Sequence, residues 1–149
     1  TRIFYANDVP DGVATLAPAV GQANSVLCEL TTLDRFFQDS GERIPTIVKA
    51  DVEGAECAVL RGAGKILSAP EPPIWLLEME DEQFARHGTS KAEIQSILNG
   101  YDYAAFELRG RRWMSCPDVR LAKCRNILWL RPSLTHHARR AKAAGIAIP

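Results

Sequence analysis

The chain has 149 residues, 46% of them hydrophobic and 24% charged, which is the make-up of one globular domain with material for a sizeable core. Eighteen basic side chains balance eighteen acidic ones, so overall charge gives no reason to expect a nucleic-acid or membrane-surface partner. No apolar stretch approaches the roughly 20 residues of a spanning helix, and the opening "TRIFYANDVP" lacks the apolar segment of a secretion signal, so the expected setting is cytoplasmic.

The sequence starts at Thr1 rather than Met, which reads as a piece of a longer protein. Residues 1–25 are rich in Asp, Gly, Pro, Ala and Asn; "IFY" suits a short strand and the rest a surface loop. In "SVLCELTTL", Val26, Cys28 and Leu30 fall on one face of a strand. "TTLDRFFQDSG" predicts one or two helical turns, capped by Thr31 or Thr32, apolar at Leu33, Phe36 and Phe37, and ended by Gly41. "IPTIVKAD" predicts a buried strand with Pro45 at its entry.

From Val52 the period becomes helical. Val52, Ala55, Val59, Ala63 and Leu67 share a face, while Glu53 and Glu56 lie off it, Glu56 as a solvated surface residue. Gly62 and Gly64 loosen this helix and "SAPEPP" stops it. "IWLLEME" is a second short apolar run ending in acids. "SKAE" at 90–93 is a capping box in which the Ser90 hydroxyl meets the Glu93 amide and the Glu93 carboxylate reaches back. Ile94, Ile97 and Leu98 then face the core, and "NG" at 99–100 ends the helix. "YDYAAFELRGRRWMSC" predicts two strands folded at Arg109-Gly110, and "NILWLRP" a last strand. Residues 1–132 make one domain and 133–149 a basic tail, either a short helix or without fixed structure.

Continuous apolar strands joined through helices predict an α/β fold with a mostly parallel sheet covered on both faces. The hairpin and the last strand predict an antiparallel C-terminal edge. In open α/β sheets ligands sit beyond the carboxyl ends of the strands. Asp51 ends one candidate central strand, and Glu78 with Glu80 ends the next, so their carboxylates share a rim. Asp51 reads either as a helix cap or as a site residue, and Glu53 and Glu56 suit the positive end of the helix dipole. Glu78 closes so apolar a run that it wants a partner.

Other chemistry is sparse. His87 lies in a polar loop and His136 and His137 in the tail, none at ligand spacing from Asp or Cys, so no metal site is expected. The four cysteines form no C-x-x-C pair: Cys28 and Cys57 read as small buried hydrophobes, and Cys116 and Cys124 flank one loop. Arg109, Arg111 and Arg112 read as a solvated hairpin tip. Nucleophile-elbow, zincin and phosphate-loop motifs are all missing from the sequence.

The segments Thr32-Leu33-Asp34, Lys49 to Glu56 ("KADVEGAE"), Leu60-Arg61-Gly62-Ala63, Leu76-Leu77-Glu78 and Gly100-Tyr101 resemble, in order, the later part of an FkbM-type methyltransferase domain, over about residues 26–131. The resemblance implies a Rossmann-like fold, of which this chain is the C-terminal part, and S-adenosylmethionine as cofactor. It departs from the pattern in lacking the Gly-rich loop after a first strand and the acid after a second; the expected partner is therefore the N-terminal half of the same domain. The implied activity is methyl transfer to a hydroxyl of a small metabolite or sugar. By position in the family fold, Asp51 is the catalytic candidate, Asp51 and Glu53 the cofactor contacts, and Glu53 and Glu78 the substrate contacts. A truncated or degenerate module that binds without catalysis is the alternative. A metal-dependent hydrolase built on Asp51, Glu53 and Glu78 is a third reading, weakened by the lack of a well-placed His.

Overall fold

Runs of apolar and β-branched residues form the strands of the computed structural model, which describes residues 2–6, 14–16 and 24–146. Arg2–Ala6 (β1), Ala14–Thr15 (β2) and Asn24–Cys28 (β3) make a small antiparallel sheet in the order β2-β1-β3. The expected "IFY" strand lies within β1, and most of the loop expected in residues 1–25 falls outside the described residues. α1 (Leu33–Ser40) begins where Thr32 accepts a hydrogen bond from the Arg35 amide at 3.1 Å and ends at Gly41, whose φ of +68° needs no Cβ.

The main sheet contains β4 (Ile47–Ala50), β5 (Ile74–Glu78), β6 (Ala104–Arg109), β7 (Arg112–Ser115) and β8 (Asn126–Leu130), in the order β4-β5-β8-β6-β7. Only β4 and β5 pair in parallel; the other three pairings are antiparallel. The expectation of a mostly parallel sheet is therefore corrected. β4, β5 and β6 do run the same way, but β8 returns between β5 and β6 and makes each of them an antiparallel neighbour. The hairpin β6–β7 is an edge, as expected, whereas the last strand is the centre of the sheet. Its composition suits that place, because Ile127, Trp129 and Leu130 are all fully buried and need cover on both faces. β4 departs in the opposite sense: among the described residues it pairs with β5 alone, and Ile47 is 57% exposed. An apolar run marks a strand without saying which of its faces is covered.

The helix expected from Val52 starts only at Glu56. α2 (Glu56–Arg61) and α3 (Gly64–Leu67) are separated by Gly62-Ala63. α4 (Asp81–Arg86) has no counterpart in the sequence reading, and α5 (Lys91–Asn99) begins at Ser90, whose hydroxyl accepts from the Glu93 amide at 3.3 Å. The Glu93 carboxylate pairs with Arg61 of α2 rather than turning back on Ser90, so half of the capping box forms and the other half ties two helices together. These helices cover one face of the sheet. Trp75 and Trp129 sit opposite each other across β5 and β8 and are buried there with Leu60, Leu67, Phe84, Ile94 and Leu98. Aromatic side chains of this size each remove about 150–250 Å² from water.

The other face is covered by α6 (Thr135–Ala143), so the basic tail is helical over these residues, and its Ala141, together with Ile146, packs on Ile74, Phe106 and Leu130. His137 of α6 is fully buried. Its Nδ1 accepts from the Arg131 amide and its Nε2 donates to the Pro72 carbonyl, both at 2.9 Å. Burial lowers its proton affinity, and the neutral ring is the form that makes both bonds. Tyr103 donates to the Pro73 carbonyl at 2.7 Å, so two buried side chains hold the proline segment that leads into β5.

At the hairpin, Glu107 is fully buried and accepts from the Lys123 amide at 3.0 Å and from the Arg109 guanidinium. Burial pushes its carboxyl up, but the Lys123 amide and Arg109 outweigh it and hold the group below the ordinary range. Arg109 is exposed at the hairpin, as expected, while its guanidinium also pairs with the buried Glu107. No disulfide joins Cys116 to Cys124. Cys57 is buried as expected, and Cys28 is only half-buried. No helix among the described residues is long and apolar enough to cross a membrane.

Candidate active site

Two of the motif segments build the scaffold rather than the site. Asp34, in "TLD", accepts from the backbone amides of Lys65 at 3.0 Å and Ile66 at 3.1 Å, which caps the start of α3 from thirty residues upstream. Its own amide donates to the Gly62 carbonyl at 3.0 Å. A Cβ on Gly62 would stand 3.1 Å from the Thr32 Cβ, so α1 seats closely on the "LRGAG" turn. Together they fix the position of α2 behind the end of β4.

Parallel pairing then assembles the acids. Ala50 is in register with Leu77, so the next residues, Asp51 and Glu78, emerge side by side at the carboxyl ends of β4 and β5. Asp51, Glu53 and Glu78 bring carboxylate oxygens within 4.8 Å of one another. Glu80 stands apart in an ion pair with Arg125. The cap reading of Asp51 does not hold, because the N-cap of α2 is Ala55 and no side chain caps it. Asp51 instead accepts from the Lys49 ammonium at 2.5 Å, an exposed pair worth little to stability.

Lys49 and a hydrogen bond with Glu78 hold the Asp51 carboxyl below the usual range. Burial, then the bond to Asp51 and its charge, then the charges of Glu53 and Glu56, raise Glu78 to about 7. Two adjacent carboxyls thus differ widely in proton affinity, the pattern of a pair that can store and release a proton near neutrality. The three oxygens also form an arrangement that could receive a cation. The Lys49 ammonium already offsets part of that charge.

The turn that delivers Glu53 is unusual. Glu53 has φ +53° and Gly54 φ +98°, and a left-handed conformation at a non-glycine residue costs about 1–3 kcal/mol. Gln83 of α4 holds the turn through a hydrogen bond from its Nε2 to Glu53 Oε2. A Cβ on Gly54 would lie 2.4 Å from the Gln83 carbonyl oxygen and 2.8 Å from His87 Cδ2, so this turn is seated directly on α4. Glu56 is a correction to the sequence reading. It is fully buried, accepts from the Val52 amide at 3.0 Å through Oε1, and has its proton affinity raised by burial.

These groups border a cavity of about 1050 Å³, at the upper end of the volumes found for small-molecule sites. Lys49, Asp51, Glu53 and His87 form its polar wall, and Leu30, Val48 and Val59 belong to its apolar wall. Glu78 stands behind Asp51 rather than in the wall. His87 is the functional candidate that sequence reasoning missed. The short helix before it, "DEQFAR", has no cap motif and no clear apolar stripe, so nothing in the sequence points His87 towards the acids.

A profile of the methyltransferase FkbM domain matches residues 5–105, which include Asp51, Glu53 and Glu78. No curated protein and no solved structure gives a significant match to the chain.

Proposed function

The chain belongs to the FkbM methyltransferase-domain family, and from that premise we propose that it takes part in S-adenosylmethionine-dependent methylation of a hydroxyl group on a small metabolite or sugar. The observation that carries this reading is the convergence of Asp51, Glu53 and Glu78 at two parallel strand ends, on and behind the wall of a cavity large enough for small molecules. Its chemistry fits the cofactor. Carboxylates suit the hydroxyl and ammonium groups of a positively charged ligand, and the apolar wall suits its rings. Asp51 and Glu53 would hold it. When bound, S-adenosylmethionine supplies an electrophilic methyl group on a sulfonium.

The chain's own side chains supply the rest. Asp51, kept ionised by Lys49, accepts a hydrogen bond from the acceptor hydroxyl and aligns its oxygen, and alignment of this kind lowers barriers by several kcal/mol. As that hydroxyl loses its proton, Asp51 receives it. Glu53 contacts further hydroxyls of the acceptor. The exposed edge of β4 and the exposed Leu27, Leu30 and Ile44 provide the surface on which the expected N-terminal half of the domain would pack.

Asp51→Ala in the full-length protein tests the assignment. Transfer of labelled methyl from S-adenosylmethionine into the small-molecule fraction of a cell extract should fall by about 10²–10⁴-fold, with thermal unfolding unchanged. Near-normal transfer would take Asp51 out of the site.

A further inference from the structure

Glu53 keeps a backbone conformation that few non-glycine residues adopt, and one side chain from another element meets its carboxylate. That side chain is Gln83, whose Nε2 donates to Glu53 Oε2. The rest of the Gln83 amide is informative too: its Oε1 is buried and has no hydrogen-bond partner among the described residues. An amide held in place with half of its bonding capacity unused calls for a reason beyond stability. The backbone of the same residue presses on Gly54, where a Cβ would be 2.4 Å from the Gln83 carbonyl oxygen. Gln83 therefore grips the turn at two consecutive positions, by its side chain and by its main chain.

We propose that Gln83 is a positioning residue of the methyl-transfer site, fixing the Glu53 carboxylate at the cavity wall so that it meets the cationic or hydroxyl groups of bound S-adenosylmethionine already aligned. The choice of a neutral amide matters. A lysine or arginine at 83 would hold Glu53 as well but would neutralise it, whereas Gln83 directs the carboxylate and leaves its charge available to the ligand. The left-handed turn, costly in itself, persists because the contacts with α4 over-determine it, and strain kept in this way is a mark of a site. This inference rests on the methyl-transfer reading given above.

Glu78 provides a reporter of where the Glu53 carboxylate lies, because after burial and Asp51 the Glu53 charge is among the causes that raise it to about 7, and an unchanged thermal unfolding curve separates that response from a loss of burial. In the full-length protein, Gln83→Ala should weaken S-adenosylmethionine binding, measured by calorimetry, about tenfold. The Glu78 titration midpoint, followed by carboxyl carbon NMR, should fall at the same time as Glu53 swings away. Gln83→Glu should bind poorly at high pH, where two carboxylates repel, and recover as the pH is lowered and the pair shares a proton. Binding that Gln83→Ala leaves unchanged would overturn the positioning role alone. So would weakened binding with the Glu78 midpoint unmoved. An unsubstituted protein that does not bind S-adenosylmethionine would overturn the methyl-transfer reading, and this proposal with it.

Discussion

Gly54→Ala isolates the contact on which the acid turn depends. At φ +98° an L side chain is strained by about 1–3 kcal/mol. The new methyl group would also lie 2.4 Å and 2.6 Å from the carbonyl oxygen and carbon of Gln83, backbone atoms of α4 that cannot rotate away. Overpacking of this kind adds about 1–3 kcal/mol. Restricting the unfolded chain returns only about 0.4–1 kcal/mol, so a net loss of about 1–6 kcal/mol is expected. Gly88, just past α4, supplies the control: its φ is +64°, close to the ordinary left-handed region, and a Cβ there meets nothing within 4 Å. Gly88→Ala should cost no more than about 1.5 kcal/mol. Urea unfolding of both variants, compared at equal slope, gives the difference directly. Equal losses for the two substitutions would refute the idea that the turn is seated on α4.

Asp34→Ala removes a carboxylate from two amides at the start of α3 and should cost about 2 kcal/mol in thermal unfolding, and Asp34→Asn should recover only part of it, because one oxygen takes each amide and the Asn NH2 would face one of them donor to donor. His137 should make the packing of α6 sensitive to acid. Because burial depresses its folded-state proton affinity, the unfolded chain binds the extra proton first, so stability is lost as the pH falls below about 6.5. Glu78 works in the other direction, its raised folded value making stability fall as the pH rises from about 4.5 towards about 7. Comparison with His137→Gln, measured by urea melts at about pH 5.5 and about pH 7.5, cancels the Glu78 contribution. The unsubstituted chain should lose about 1 kcal/mol more on acidification than the variant.

Local signals in the sequence read well. Thr32 and Ser90 cap the helices they were expected to cap, Gly41 ends α1, and a hairpin folds one residue past the expected turn, at Gly110-Arg111, because each depends on chemistry within a few residues. The strands "IWLLE" and "NILWL" are where their composition puts them. What the sequence does not carry is lateral order. "IPTIVKAD" and "NILWLRP" are equally apolar, yet one is an edge and the other the centre, and only the long-range pairing decides which. For the site, strand-end reasoning placed Asp51 beside Glu78, as found, but also put Glu80 on their rim, and Glu80 instead pairs with Arg125. It failed for Glu56 because helical periodicity was counted from Val52. The left-handed turn at Glu53-Gly54 delays the helix by four residues and rotates Glu56 inward. It missed His87 and Gln83 because their proximity to the turn comes from α4 folding back beside it, and the close approach at Gly54 is visible only in three dimensions.

The central position of β8 also sets a timetable. On the ribosome, β4, β5 and β6 emerge first, but the sheet has no middle until residues 126–130 follow. Until then the facing edges of β5 and β6 stay open, and Trp75 lacks the Trp129 it will lie against. The paired acids can form early, since β4 and β5 need only each other, but the body that steadies them is completed only once β8 has been made. The sheet therefore closes only after β8 has emerged, with slow, long-range pairing as its last step. A nascent chain stalled before β8 would present two unsatisfied strand edges to its surroundings, the form of the molecule most in need of a chaperone.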